Sequence, residues 1–298
     1  MTRGTGLGAL CWPELDGSAV TLLVPLGAVE QHGPHLPLDT DIRIADAVAR
    51  RAQPRLAGDR PDSELFIVAP GLPYGASGEH EGFPGTVSLG HEALRLVLVE
   101  YGRSACRWAR RIVFVNGHGG NGRTLVDAVR LLRYEGREVA WFACGHPGGD
   151  AHAGDTETSV LLNLSPDDVR LSEAVAGNRA PIAELLSPMR SGGVAAVSAN
   201  GGLGDPTTAT ADRGGTLLAG FADALVAAVG RWDVDERGLL RRGAVPSGQR
   251  WQQAVDYGTF AAGGAGRTDL AVTIDIRGRD GERRSDFDTA FGSWEALE

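Results

Sequence analysis

The sequence predicts an α/β protein built on a mostly parallel sheet flanked by helices, and three observations carry that reading. Four short runs rich in Val, Ile, Leu and Phe recur at 20–26, 65–69, 111–115 and 138–144. Each is followed by a polar loop and then by a stretch of helical length with apolar residues on one face. Strand, loop and helix repeated four times is the pattern of a parallel sheet, because a parallel crossover needs a helix to return the chain. The apolar fraction, 42% of 298 residues, is enough for a sizeable core.

Taken in order, the strand at 20–26 enters a loop dense in Gly, Pro, His and acid, and Asp39 or Thr40 is placed to cap a helix over 41–52. The polar stretch 58–63 reads as a surface loop. The second strand leads into a long loop, 70–90, holding Tyr74, Ser77, Glu79, His80 and Phe83. A loop of that length inside a compact domain is functional or disordered. A helix over 91–109 follows, with Leu94, Leu98 and Tyr101 on a common face. The third strand ends in Asn116-Gly117-His118-Gly119-Gly120-Asn121-Gly122, and a helix over 123–135 leads to the fourth. After a Gly-rich loop containing His146 and His152, another helix begins near Asp155. Residues 165–200 read as a surface helix and loops, with 190–193 flexible, and 202–206 as a turn. Residues 216–229 form a strongly apolar helix expected to pack on the sheet. Beyond 235 the composition turns Arg- and Gly-rich, with a short helix near Trp251 and edge-strand alternation at 270–276. The expected organisation is a main domain over 1–235 and an appended segment, 236–298, whose role does not follow from its residues.

The net charge of −9 argues against nucleic acid or an anionic membrane as a partner. All 29 basic residues are Arg, which removes Schiff-base chemistry and a P-loop lysine. Cys11, Cys106 and Cys144 show no CxxC spacing, and the last two sit among apolar residues as inert thiols. With no apolar run of membrane length, the expected location is the cytoplasm.

Glu30 and His32, two apart, project to the same side of an extended segment. Carboxylate and imidazole placed this way suit a borderline divalent metal such as zinc, iron or manganese. His35, Asp39 and Asp41 follow closely, and all seven histidines lie between 32 and 152. In a parallel sheet, the loops carrying Glu30, His32, His118 and His152 leave the carboxyl ends of strands, the edge where such sheets bind ligands. Two alternative readings meet obstacles in the sequence. Gly117-x-Gly119-x-x-Gly122 formally matches a dinucleotide fingerprint, which would make the chain a nucleotide- or sugar-binding module. It follows the third strand rather than the first, however, and no acid ends the next strand. A serine hydrolase lacks its Gly-x-Ser-x-Gly elbow.

Three motifs in order complete the reading: Glu30-Gln31-His32-Gly33-Pro34-His35-Leu36-Pro37 with Asp41, His80-Glu81-Gly82-Phe83-Pro84-Gly85-Thr86, and Asn116-Gly117-His118-Gly119-Gly120-Asn121. Over residues 20–230 the chain resembles the creatininase family of metal-dependent amidohydrolases, and within it the members that trim a modified precursor peptide. The resemblance implies a three-layer architecture, a symmetric homo-oligomer, and one or two divalent metals per subunit, Fe2+ or Zn2+ with Mn2+ as a further option. It places metal ligands at Glu30, His32, Asp41 and His118. Asp41 would bridge, with Glu30 and His118 on one ion and His32 on the other. Creatininase proper carries a Glu where this chain has Gly120, so Asp155, or Glu157 beside it, is expected to complete the second site. It also carries an acid where this chain has Ala151, which argues against creatinine as substrate. His35, Tyr74 and His80 are candidate substrate contacts, with a loop-staple role open for the two histidines. His152 is the candidate general acid, since imidazole titrates near neutral pH. The implied reaction is hydrolysis of an amide near the C-terminus of the modified peptide, releasing a Val-Tyr dipeptide; a small-molecule amidohydrolase of the same family is the alternative.

Overall fold

A computed structural model describes residues 6–58, 64–145 and 148–242. Its strands are β1 (Ala19–Leu26), β2 (Glu64–Val68), β3 (Ala109–Asn116) and β4 (Val139–Ala143). They form one parallel sheet in the order β2-β1-β3-β4. The helices are α1 (Thr40–Ala57), α2 (Gly90–Ala105), α3 (Gly122–Tyr134), α4 (Asp155–Leu164), α5 (Ile182–Gly192) and α6 (Ala211–Arg231).

Strand alternation sorts the apolar side chains into two layers. Leu23, Val113, Val115 and Phe142 face α1, α4 and α6, while Leu22, Val24, Phe114 and Trp141 face α2 and α3. On α3 the buried residues Leu125, Ala128, Val129 and Leu132 recur at helical spacing, so one stripe meets the sheet. Fully buried side chains such as Leu22, Leu23 and Leu125 each stabilise the fold by about 1.5–3 kcal/mol. The three-layer α/β fold is the one the sequence predicts.

Several boundaries move, for physical reasons. The helix expected to reach 109 stops at Ala105, because Ala109 is needed opposite Val20 at the start of β3. Asp39 precedes α1, but its carboxylate pairs with Arg43 at 2.7 Å instead of capping an N–H. Arg190 to Gly192 are the last turn of α5 rather than a flexible piece, and Gly193 in the left-handed region ends that helix. The long loop is pinned rather than loose: Val87 N–H donates to Val29 O at 2.9 Å, and Asn121 Oδ1 accepts from Ala76 N–H at 2.9 Å. Past 235, Leu239 and Leu240 pack beside β4, where Leu240 N–H donates to Trp141 O at 2.9 Å. The expected loop at 59–63, the helix near Trp251 and the strand at 270–276 lie outside the described residues.

Candidate metal centre

The segments that follow β1, β3 and β4 meet at the carboxyl edge of three adjacent strands. Glu30 and His32 come from the first, Asp41 from the opening turn of α1, His118 from the second, and His152 and Glu157 from the third, Glu157 lying in α4. Ligand atoms of Glu30, Asp41 and His118 lie within 4.8 Å of one another, as do those of His32, Asp41 and Glu157, and those of Glu30, His32 and His152. Asp41 belongs to two of these groups.

Hydrogen bonding assigns the ring nitrogens. His32 Nδ1 faces the carbonyl of Glu30 at 3.0 Å, His118 Nε2 that of Ala76 at 3.1 Å, and His152 Nε2 that of Gln31 at 2.7 Å. A carbonyl only accepts, so each of those nitrogens carries the proton and the other nitrogen turns inward. The inward atoms crowd the carboxylates. His32 Nε2 is 3.2 Å from Asp41 Oδ1, His118 Nδ1 is 3.2 Å from Glu30 Oε1 and 3.3 Å from Asp41 Oδ2, and His152 Nδ1 is 3.7 Å from Glu30 Oε1. Outer N–H groups tied to the backbone and inner nitrogens aimed at acids is how ligating histidines are held.

Both carboxylate oxygens of Glu30 and Oδ2 of Asp41 are buried without a hydrogen-bond partner. A buried carboxylate left unpaired is costly, so this cluster requires positive charge. Burial opposes protonation of His32, but Asp41, Glu157 and Glu30 outweigh it and raise its pKa to about 10. Against the same penalty, Glu30 and Asp41 raise His118 well above the usual range. The acids move the other way: burial opposes their charge, yet His118 and His80 hold Glu30 below its ordinary value, and His32 and His118 hold Asp41 well below. Protons thus occupy the inward nitrogens of His32 and His118 when no metal is bound, and a divalent cation displacing them would satisfy the same oxygens. The residues fit a metal.

The other sequence-predicted residues fall in different places. Asp155 does not join the cluster; its carboxylate accepts from Thr208 Oγ1 at 2.7 Å and pairs with Arg213. Two residues on a helix is a rotation of roughly 200°, so Asp155 and Glu157 face opposite ways, and Glu157 is the one turned inward. Burial raises Glu157 to about 7, and its Oε2 accepts from Ala153 N–H at 2.6 Å. His35 is bonded to Thr158 Oγ1 at 2.8 Å, which fastens the first loop to α4, and burial lowers it to about 4. Tyr74 is exposed and stands apart from the lining of the site's cavity. His80 lies beside Glu30, with Nε2 3.3 Å from Oε1, and burial holds it neutral.

Two contributors escaped the sequence reading. Glu79 places Oε1 3.6 Å from His118 Nε2, on the outer side of that ring. A Cβ at position 120 would sit 2.5 Å from the same oxygen, so Gly120 leaves the room that Glu79 occupies. The second is α5, read as surface, whose Ile182 and Met189 line a cavity of about 400 Å³ together with Asp41, His118, His152 and Glu157. A helix contributing one wall has no motif to announce it. Cys144 also borders this cavity, but burial pushes its thiol up to about 12, so it is no nucleophile.

Residues 9–229 match the creatininase family, described as creatinine amidohydrolase. The chain belongs to the creatininase family. It is a hydrolase of C–N bonds in a family that uses divalent metals. It is 58% identical over 236 residues to the mycofactocin precursor peptide peptidase of Mycolicibacterium smegmatis, covering 79% of this chain and 95% of that one. To the creatinine amidohydrolase of Pseudomonas putida it is 32% identical, over 59% of this chain and 77% of the other. A solved manganese form of creatininase superposes with a TM-score of 0.65 at 28% identity, covering 77% of this chain and 99% of that one. A zinc–zinc form of a creatininase variant gives 0.66, also at 28%, covering 78% and 99%.

The opposite facing of Asp155 and Glu157 gives a direct test. Glu157→Gln is expected to lower occupancy at one of two metal positions, while Asp155→Ala leaves both filled. Metal content by plasma mass spectrometry decides, and loss of metal on Asp155→Ala would return that residue to the ligand set.

Proposed function

We propose that this chain is a metal-dependent peptidase that hydrolyses an amide near the C-terminus of the modified mycofactocin precursor peptide. The observation that carries the metal chemistry is the set of orphaned oxygens on Glu30 and Asp41 beside histidines whose outer N–H groups are already engaged. The peptide substrate rests on relatives 58% identical over most of their length. Glu30, Asp41 and His118 would hold one ion, and His32, Asp41 and Glu157 a second. A divalent ion there supplies Lewis acidity, making water nucleophilic near neutral pH and polarising the scissile carbonyl.

The chain's own residues do the rest. His152 Nδ1 faces the carboxylate cluster while Nε2 is tied to Gln31 O, so Nδ1 is the atom that takes a proton from water and returns it to the leaving amine. Burial holds His152 well below its ordinary pKa, which keeps it neutral and ready to accept that proton first. Ile182, Met189 and Leu203 give the cavity an apolar wall that excludes water and seats an uncharged side chain of the peptide. To the same reading belong iron or zinc as the metal, a symmetric homo-oligomer, cytoplasmic location, and a domain boundary near 235.

Incubating the metal-loaded protein with the modified precursor peptide is expected to release a Val-Tyr dipeptide, seen by mass spectrometry, and a chelator is expected to stop the release. Creatinine hydrolysis without peptide cleavage would favour the small-molecule reading and leave the metal centre standing.

A further inference from the structure

Gln31 lies between Glu30 and His32 and is buried; its carbonyl holds His152, but its side chain takes no part in the chemistry above. Its amide orientation is fixed by two partners that each allow one role. Gly33 N–H can only donate, and it lies 2.9 Å from Oε1; Gly201 O can only accept, and it lies 3.0 Å from Nε2. One proton of the amide nitrogen therefore remains. Two imidazole nitrogens are in reach of it, His80 Nδ1 at 2.7 Å and His152 Nε2 at 3.0 Å. His152 Nε2 carries its own proton, given to Gln31 O, so it cannot accept a second. The remaining proton goes to His80 Nδ1. A neutral imidazole with an accepting Nδ1 must carry its proton on Nε2, and that atom is 3.3 Å from Glu30 Oε1.

We propose that Gln31 is a positioning residue that locks His80 in its Nε2–H tautomer, so that the ring nitrogen beside the Glu30 carboxylate carries a proton and offers no lone pair to a metal. Through its protonated Nε2, His80 is then not a metal ligand. Its protonated Nε2 stands 3.3 Å from a ligating carboxylate as a polar neighbour, and the amide of Gln31 sets which nitrogen carries that proton. The packing protects the arrangement: a Cβ on Gly201 would come within 2.0 Å of Gln31 Oε1, and Gly201 itself holds a left-handed φ of 81°. Backbone there is shaped around the amide. This inference rests on the proposed metal centre only for its effect on affinity; the tautomer itself is a property of the metal-free chain.

The test uses the full-length, 15N-labelled protein without metal, with long-range proton–nitrogen correlation of the histidine rings and His80→Gln to assign the signals. In the wild type, His80 is expected to show an unprotonated Nδ1 and a protonated Nε2. Gln31→Met keeps the shape and removes the donor, and is expected to give a mixture of tautomers. Gln31→Glu replaces donor by acceptor and is expected to put the proton on Nδ1. Zinc affinity of the folded Gln31→Met protein, measured by competition with a chelating dye, is expected to fall about 10–100-fold, the usual cost of losing an outer partner of a ligand. A wild-type His80 protonated at Nδ1 overturns the proposal. So does a His80 pattern unchanged in both variants, or an unchanged zinc affinity. Absence of peptide cleavage with the expected ring pattern would instead count against the peptidase reading alone.

Discussion

Asp41→Ala is expected to abolish metal binding and peptide hydrolysis together. Its two oxygens serve different neighbours: Oδ1 lies 3.2 Å from His32 Nε2 and Oδ2 3.3 Å from His118 Nδ1. It is also the residue shared by the two groups that take in His118 and Glu157. Removing it deprives both positions of a carboxylate and leaves a vacancy in a water-poor site. The pH dependence follows from the same contacts. His32, raised to about 10, and His118, raised well above the usual range, keep their protons on the metal-free protein at neutral pH. A metal must displace both, so affinity in the wild type is expected to climb with pH below 10, by about tenfold per displaced proton per pH unit.

Stability of the metal-free chain runs the other way for the same groups. A raised imidazole pKa contributes stability below about 6.5 that is lost as pH rises through about 10. The lowered pKa of Asp41 contributes stability above about 4 that is lost on acidification. Asp41→Ala is expected to flatten both limbs. Metal analysis, a zinc titration at pH 6, 7 and 8, and thermal melts across the pH range read these effects. Full metal content with normal turnover in the variant would remove Asp41 from the ligand set.

How much of this was legible in the sequence depends on the range of the interactions. Strand runs at 20–26 and 111–115 are set by local apolar pattern, and β1 and β3 appear where expected, each within two residues or so. Glu30 and His32 share a direction because they are two apart in an extended segment, and Asp41 opens the helix that follows; their proximity is a local fact. His118 and His152 required the further step that loops after adjacent parallel strands share an edge. Glu157 was an open alternative because choosing it over Asp155 needs the phase of α4, which is set by how Val160 and Leu161 pack on the sheet layer. Glu79, Gln31 and the wall from α5 were invisible for a different reason. Each acts through contacts 39 or more residues distant, such as Glu79 with His118 and Gln31 with His80 and Gly201, and no periodicity encodes such a contact. The reading of 190–193 as flexible followed a Ser-Gly-Gly sequence, yet Met189 packs into a small core with Leu185, Val194 and Leu203 that holds the helix to its end.

His152→Ala is expected to lower kcat by about 10²–10⁴-fold while metal content stays near that of the wild type, the range for losing a proton-transferring side chain. The geometry separates this residue from the ligands. Its inward nitrogen stands 3.7 Å from Glu30 Oε1, farther than the 3.2 Å of His118, and its ring lies between those of His32 and His80, with centroids 4.4 and 4.3 Å away. It borders the cavity, so it is placed where water and a leaving group would reach it. Burial, His32 and His118 disfavour its charged form, which makes any proton it accepts quick to leave for the amine. With His152 removed, binding and carbonyl polarisation persist, so KM is expected to change little and the loss to fall on kcat. His152→Gln tests shape against proton transfer: it fills the space and can still hydrogen-bond, but cannot shuttle a proton, and it is expected to be as slow as the alanine variant. Steady-state kinetics on the precursor peptide, with metal content measured on the same samples, settle the role. Turnover within a few-fold of wild type would make His152 structural, and loss of metal in parallel with turnover would make it a ligand to the ion that Glu30 and His32 help to hold.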